Sequence, residues 1–221
     1  MSWATVKRTL KRLDCSYRRA RRTTAKAPRP AALQAAQRAL TRLRRLAARG
    51  GCDLYFGDES GFSLWPVLPS LWQPRRRTLA LPAQTHHQRL NVLGFWKEAA
   101  VEGATLLFAS TRGALTTEYF VTAVETQLLP HLRRRAVLIL DNAKLHRSRL
   151  VQERKAAWRA QGLNVLFLPP YCPHINRIEV LWKQVKYRWL EPQAYADFET
   201  LCQRVTTILA QCPSKYRLSF V

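Results

Sequence analysis

The chain reads as a sheet protein of mixed α/β or α+β type, its sheet flanked by helices and preceded by a basic helical arm. Three observations predict this. Of the 221 residues, 47% are hydrophobic, enough for a packed core. Apolar runs of strand length come first and then alternate with helical periods. Basic residues crowd the amino-terminal stretch ahead of the first such run.

In the arm, Trp3, Val6, Leu10 and Leu13 recur at helical spacing, and Asp14 is the only acid of residues 1–30. Ala27-Pro28-Arg29-Pro30 reads as a linker. Residues 31–49 read as a second helix studded with Arg38, Arg42, Arg44, Arg45 and Arg49, ended by Gly50-Gly51. The arm, 1–49, is thus divided from a sheet domain, 50–221. In the latter, Leu54–Asp58 reads as a strand ending in an acid. Arg89–Trp96 and Thr105–Ala109 are further strands, and a helix is expected over Thr116–Leu129. Ala136–Leu140 is an apolar run capped by Asp141, which suits a buried central strand. A helix near Arg147–Gln161 should be stopped by Gly162. Asn164–Leu168 is a short strand, Pro169–Pro173 a rigid loop, and two helices, about 177–190 and 196–211, close the chain.

Charge bounds the function. Lys plus Arg number 37 against 14 Asp plus Glu, a formal balance of +23. That excess disfavours an enzyme of small metabolites and points to nucleic acid, whose phosphates release counterions when neutralised. An acidic protein or a membrane surface is the plainer alternative. Five cysteines, an odd number with no C-x-x-C pair, argue against a disulfide framework or a zinc cluster. The basic start lacks the apolar run of a signal peptide, and no stretch reaches membrane-spanning length. A reducing, bacterial cytoplasm is the expected setting.

Three acids stand where chemistry would want them. Asp58 and Asp141 end core strands, and Glu179 begins a helix after the proline loop. A carboxylate beside a core is costly unless paired, and a divalent cation removes that cost. Mg²⁺ prefers oxygen ligands and keeps its own waters, so few carboxylates suffice. Two such ions, roughly 3.5–4 Å apart, can serve phosphodiester cleavage. Each acid also has a plainer role open to it. Asp58 and Glu59 point to opposite faces of a strand, so only one can join a site. Asp141 could cap the following helix, and Asn176 with Glu179 has capping-box spacing. Ile178, Leu181, Val185 and Trp189 form an apolar stripe, with Glu179, Lys183 and Lys186 on a neighbouring face.

Leu54–Phe62 (LYFGDESGF), Leu140–His146 (LDNAKLH) and Leu168–Glu179 (LPPYCPHINRIE) resemble, in order, the three acid motifs of the DDE transposases of the mariner superfamily, in its bacterial insertion-sequence branch. The second motif there reads L-D-N-A-x-x-H and the third L-P-P-Y-S-P-x-L-N-P-I-E. Trp182 and Lys186 continue the third, and the likeness covers roughly residues 50–215. The resemblance implies an RNase H-like fold, with Asp58, Asp141 and Glu179 as catalytic residues and ligands of Mg²⁺ or Mn²⁺, two ions in all. It implies cleavage of double-stranded DNA at terminal inverted repeats and joining of the freed 3′-hydroxyl to a target, usually TA, by a homodimer. Asn142 and His146 match motif positions beside the site and take supporting roles, such as orienting water or contacting phosphate. DNA contact is expected from Arg18, Arg19, Arg21, Arg22, Arg75, Arg76, Arg77, Lys144, Arg177, Lys183 and Lys186.

The chain departs from the family pattern in four places, and in one of them Arg75-Arg76-Arg77 follows Trp72-Gln73-Pro74 where the family often has a glycine-containing turn. Cys172 stands for Ser. Arg177 stands for the Pro that would pre-set the first helical turn. Two helix-turn-helix units usually precede the core, and Trp3–Arg22 resembles only the last helix of the second. A stand-alone RNase H-like nuclease, or a non-catalytic DNA-binding remnant that regulates its parent transposase, are the competing readings.

Overall fold

The structure, a computed structural model, describes residues 2–13, 29–65, 88–98 and 103–218. Five strands form one sheet in the order β3-β2-β1-β4-β5. Strand β1 (Asp53–Ser63) is central. It pairs antiparallel with β2 (Arg89–Lys97), which pairs antiparallel with β3 (Thr105–Thr111). On its other edge β1 pairs in parallel with β4 (Ala136–Leu140), and β4 in parallel with β5 (Leu163–Phe167). A meander is thus joined to a parallel half, which the all-apolar β4 suits because it is covered on both faces.

Alternation along β1 divides the interior in two. Leu54 and Phe56 face one core, shared with α5 (Ile178–Gln184), α6 (Phe198–Ala210) and, through Leu40 and Ala47, α2 (Pro30–Ala48). Tyr55, with Leu138 and Leu140, faces the other, built on α3 (Thr117–Ala123) and α4 (Arg149–Ala160). Thr116, Ser148 and Asp197 cap α3, α4 and α6 by accepting from a backbone N–H with their side chains. Helix α1 (Trp3–Arg12) carries the same kind of cap from Ser2.

The predicted strands and helices of these regions are present, with local corrections. β1 does not end at Asp58 but runs on to Ser63, because Glu59 to Ser63 continue pairing with Leu93 to Arg89. Parallel pairing with β4 stops at Phe56. Asp58 therefore lies just past the parallel half while still anchored on its other edge. The helices expected over 116–129 and 177–190 change their winding midway. After α3 and α5 the chain continues as π-helical turns at Val124–Leu128 and Val185–Trp189. The apolar stripe holds across that change, with Ile178, Leu181 and Val185 fully buried.

The four described cysteines, Cys52, Cys172, Cys202 and Cys212, are free and buried. Among the described residues no helix is long and apolar enough to cross a membrane.

Candidate active site

Asp58 is built into a buried corner by two neighbours with no local sequence relation to it. Gly94 is its antiparallel partner on β2. A Cβ at Gly94 would lie 2.9 Å from Trp182 Cη2 and 3.0 Å from Ile178 Cδ1, so the bare backbone lets α5 settle on the sheet. Trp182 then reaches Asp58, its indole Nε1–H donating to Oδ2 at 3.1 Å. Asp58 is only 8% exposed. Burial, then the charges of Glu179, Glu59 and Asp141, push its carboxyl up to about 8.

Asp141 follows the last residue of β4. Its Oδ1 accepts from the Ala143 amide at 3.0 Å and from His146 Nδ1 at 2.7 Å. These bonds hold its carboxyl below the usual range against the opposing effect of burial. Asp141 does not cap α4, a role that falls to Ser148; it closes an Asx-type turn over Asn142–Ala143. His146 is fully buried against the Phe120 ring, 4.8 Å between centroids. Its other nitrogen, Nε2, lies 3.3 Å from Glu59 Oε2, an ion-pair contact without hydrogen-bond geometry. Burial alone would lower the imidazole, but Asp141 and Glu59 outweigh it and raise it to about 9. His146 thus links the acid after β4 to Glu59 of β1. Glu59 does point away from Asp58, as strand geometry requires, yet it serves the same corner through His146. Asn142 accepts from Arg147 Nη1 at 3.0 Å.

Glu179 enters on the first turn of α5. Asn176 is no capping residue here: its side chain donates to the Gly57 carbonyl at 3.2 Å, pinning the approach to α5 onto β1 beside Asp58. Its buried Oδ1 has no hydrogen-bond partner among the described residues. Burial raises the Glu179 carboxyl, Lys183 and Lys186 oppose this, and Asp141 and Glu59 add to it. Glu179, Asp141, Asn142 and the Pro169–Pro173 loop line one cleft of about 530 Å³. In that loop exposed Tyr171 takes a positive φ of 61°, uncommon for a bulky side chain. Arg177, just before α5, reaches Glu98 with Nε to Oε1 at 2.7 Å. Arg44 of α2 grips the same carboxylate through Nε and Nη2 at 3.0 and 3.1 Å.

The structure therefore gathers Asp58, Asp141, Glu179 and His146, with Asn142, Lys183 and Lys186 beside them. Lys144 is exposed on the turn after Asp141. Arg177 is turned toward Glu98. Arg18, Arg19, Arg21, Arg22, Arg75, Arg76 and Arg77 lie outside the described residues. Gly94 and Glu98 were not singled out by the sequence as parts of the site, and Glu59 entered only as the alternative to Asp58. The glycine inside an apolar strand was the one local signal, since it marks a close approach.

The sheet order, with β1 antiparallel to β2 and parallel to β4, is that of an RNase H-like fold. A family model described as "DDE superfamily endonuclease" matches residues 53–202, and the chain belongs to that family. Comparison with curated proteins finds no match. Solved structures do resemble it. The mariner Mos1 paired end complex with Mg aligns at a TM-score of 0.62 and 12% identity, over 98% of this chain and 66% of that one. The Mos1 strand transfer complex gives 0.61 and 12%, over 98% and 65%. The catalytic domain of Mos1 mariner transposase gives 0.55 and 12%, over 88% and 89%. At these identities the likeness is one of fold. The chain spans 65% of the length of the chain in the strand transfer complex.

Proposed function

We propose that this chain is the catalytic part of a DDE transposase, which cuts DNA at terminal inverted repeats and joins the freed 3′-hydroxyl to a target. What supports this reading is that Asp58 lies within electrostatic reach of Asp141 and Glu179 where β1 runs on past β4, in a chain of +23 formal charge. Ligands bind at that edge in open α/β sheets generally.

The residues fit a divalent cation. All the donors are carboxylate oxygens, the chemistry that hard ions take. Burial and the charges of Glu179, Glu59 and Asp141 raise the Asp58 carboxyl, and a cation would offset both. Among the described residues no three such side chains are close enough together to share an ion, so holding one requires the three to draw in. Asp58, Asp141 and Glu179 would hold Mg²⁺ or Mn²⁺, two ions in all, which when bound supply activation of the attacking oxygen and stabilisation of the leaving one. The protein's own part is orientation. Trp182 fixes Asp58, His146 fixes Asp141, and Asn176 seats the loop that delivers Glu179. Asn142, Lys144, Lys183 and Lys186 lie where a DNA backbone would pass. Arg177 serves the site from Glu98, and Arg18, Arg19, Arg21, Arg22, Arg75, Arg76 and Arg77 are proposed as further DNA contacts.

The assembly we infer is a homodimer on duplex DNA in a bacterial cytoplasm, residues 1–49 being a basic helical DNA-binding arm with its linker and 50–221 the catalytic domain. The test is incubation with a duplex carrying the terminal repeat of its own element, a supercoiled target and Mg²⁺ or Mn²⁺. Cut ends and joined products are expected, both lost in Asp141→Ala while DNA binding persists. Cutting without joining would reassign the chain as a stand-alone nuclease. Binding without cutting would reassign it as a regulatory remnant.

A further inference from the structure

We propose that Arg89 and Lys186 form a subsite for a backbone phosphate of DNA at the unpaired edge of β1, with Gly61 as the gap that seats the arginine. The inference rests on the transposase reading and deepens it.

Pairing of β1 with β4 stops at Phe56, so past Gly57 this edge of β1 carries no strand among the described residues. Arg89 sits on β2 opposite Ser63, on the face that also carries Gly61 and Glu59. Its guanidinium lies directly over Gly61, in the space a Cβ there would fill. Any other residue at this position would displace it. The arginine, itself exposed, thus reaches from β2 over β1. From the opposite face Lys186 comes in with Nζ 5.3 Å above the Phe62 ring. The two cations are close enough that Arg89, after burial, depresses the Lys186 ammonium, while Glu179 and Asp58 support it. Two like charges brought together from different elements repel, and an anion between them removes that cost. The neighbouring acids place that anion beside the cutting site. A phosphodiester suits it, since Arg presents a fork and Lys a point charge to phosphate oxygens.

The test measures binding of a short fluorescein-labelled duplex in EDTA as a function of salt, with Mn²⁺-dependent cleavage followed in parallel. Arg89→Gln removes the charge, and Gly61→Ala keeps it but moves it. Each should weaken binding by about tenfold, the scale of one hydrogen bond to a charged group. The slope of log affinity against log salt should drop by about 0.9, as for one phosphate contact. The double variant should be no worse than either single one, because both act on one contact. Arg154→Gln, on α4 and paired with Glu125, should leave the slope unchanged. Unaltered slope and affinity in both single variants, with wild-type cleavage intact, would overturn the subsite and leave the transposase reading standing. An equal drop in Arg154→Gln would overturn it as a general charge effect. Failure of the wild type to bind the duplex would overturn both.

Discussion

Trp182 both packs on Gly94 and donates to Asp58, and Trp182→Phe separates these by keeping most of the ring and losing the N–H. Below about pH 8 and without metal Asp58 is neutral, so the lost hydrogen bond is worth about 0.5–1.5 kcal/mol and the melting temperature should fall by about 1–6 °C, while cleavage, which needs Asp58 oriented, should slow by roughly tenfold. A variant that cuts at the wild-type rate would remove Trp182 from the site's design. The raised values of Asp58 and His146 make a second prediction. A group that binds its proton more tightly folded than unfolded loses stability as pH rises between its two values. Asp58 does so from the ordinary carboxyl value of 3.8 to about 8, and His146 from 6.5 to about 9. In EDTA the protein should therefore melt at lower temperature at pH 9 than at pH 6, and Asp58→Asn should flatten the profile. Adding Mn²⁺ should raise the wild-type melting point most at high pH; a metal-independent profile would count against carboxylate crowding. At this scale the three acids were legible because each closes an apolar run or opens a helix. The Glu59–His146 contact was not, because it joins positions far apart that only the fold brings together.

Among the elements, Glu98 holds two others in place. It follows β2 with a side chain 9% exposed and is gripped from α2 by Arg44 and from the start of α5 by Arg177. Glu98→Gln leaves two guanidinium groups without their carboxylate. Because both are 36% exposed, water recovers part of the loss, and destabilisation of about 1–2 kcal/mol is expected rather than the 3–5 of a fully buried pair. The melting point should fall by about 2–8 °C, with cleavage reduced further than folding alone explains because Arg177 adjoins the helix of Glu179. Unchanged stability and rate would make the triad incidental. The strands themselves were readable from composition, since Ala136–Leu140 and Arg89–Trp96 are apolar runs of strand length. The end of β1 was misread because its last five residues are held by β2, a partner about thirty positions away. Arg177, which in sequence looked like a phosphate contact or a loosened helix start, is explained by Glu98. No local pattern announces that pairing.

For the molecule as a whole, a sheet with one parallel and one meander half creates an edge where β4 stops and β1 continues. That step collects acids from β1, from the turn after β4 and from α5 into a chain otherwise overwhelmingly basic. The fold class and the acids were readable from sequence because composition and apolar period carry them. The step was not, because it depends on where two pairings end. The central claim is that these three acids, held at this step, run metal-dependent DNA cutting. It is met most directly by Mn²⁺-dependent cleavage of a terminal-repeat duplex, comparing wild type with Glu179→Gln under conditions where both bind the DNA equally. The account predicts cutting by the wild type and loss of at least about a hundredfold in the variant, the scale expected when a group that stabilises the transition state is removed. Equal cutting by the two proteins would contradict it.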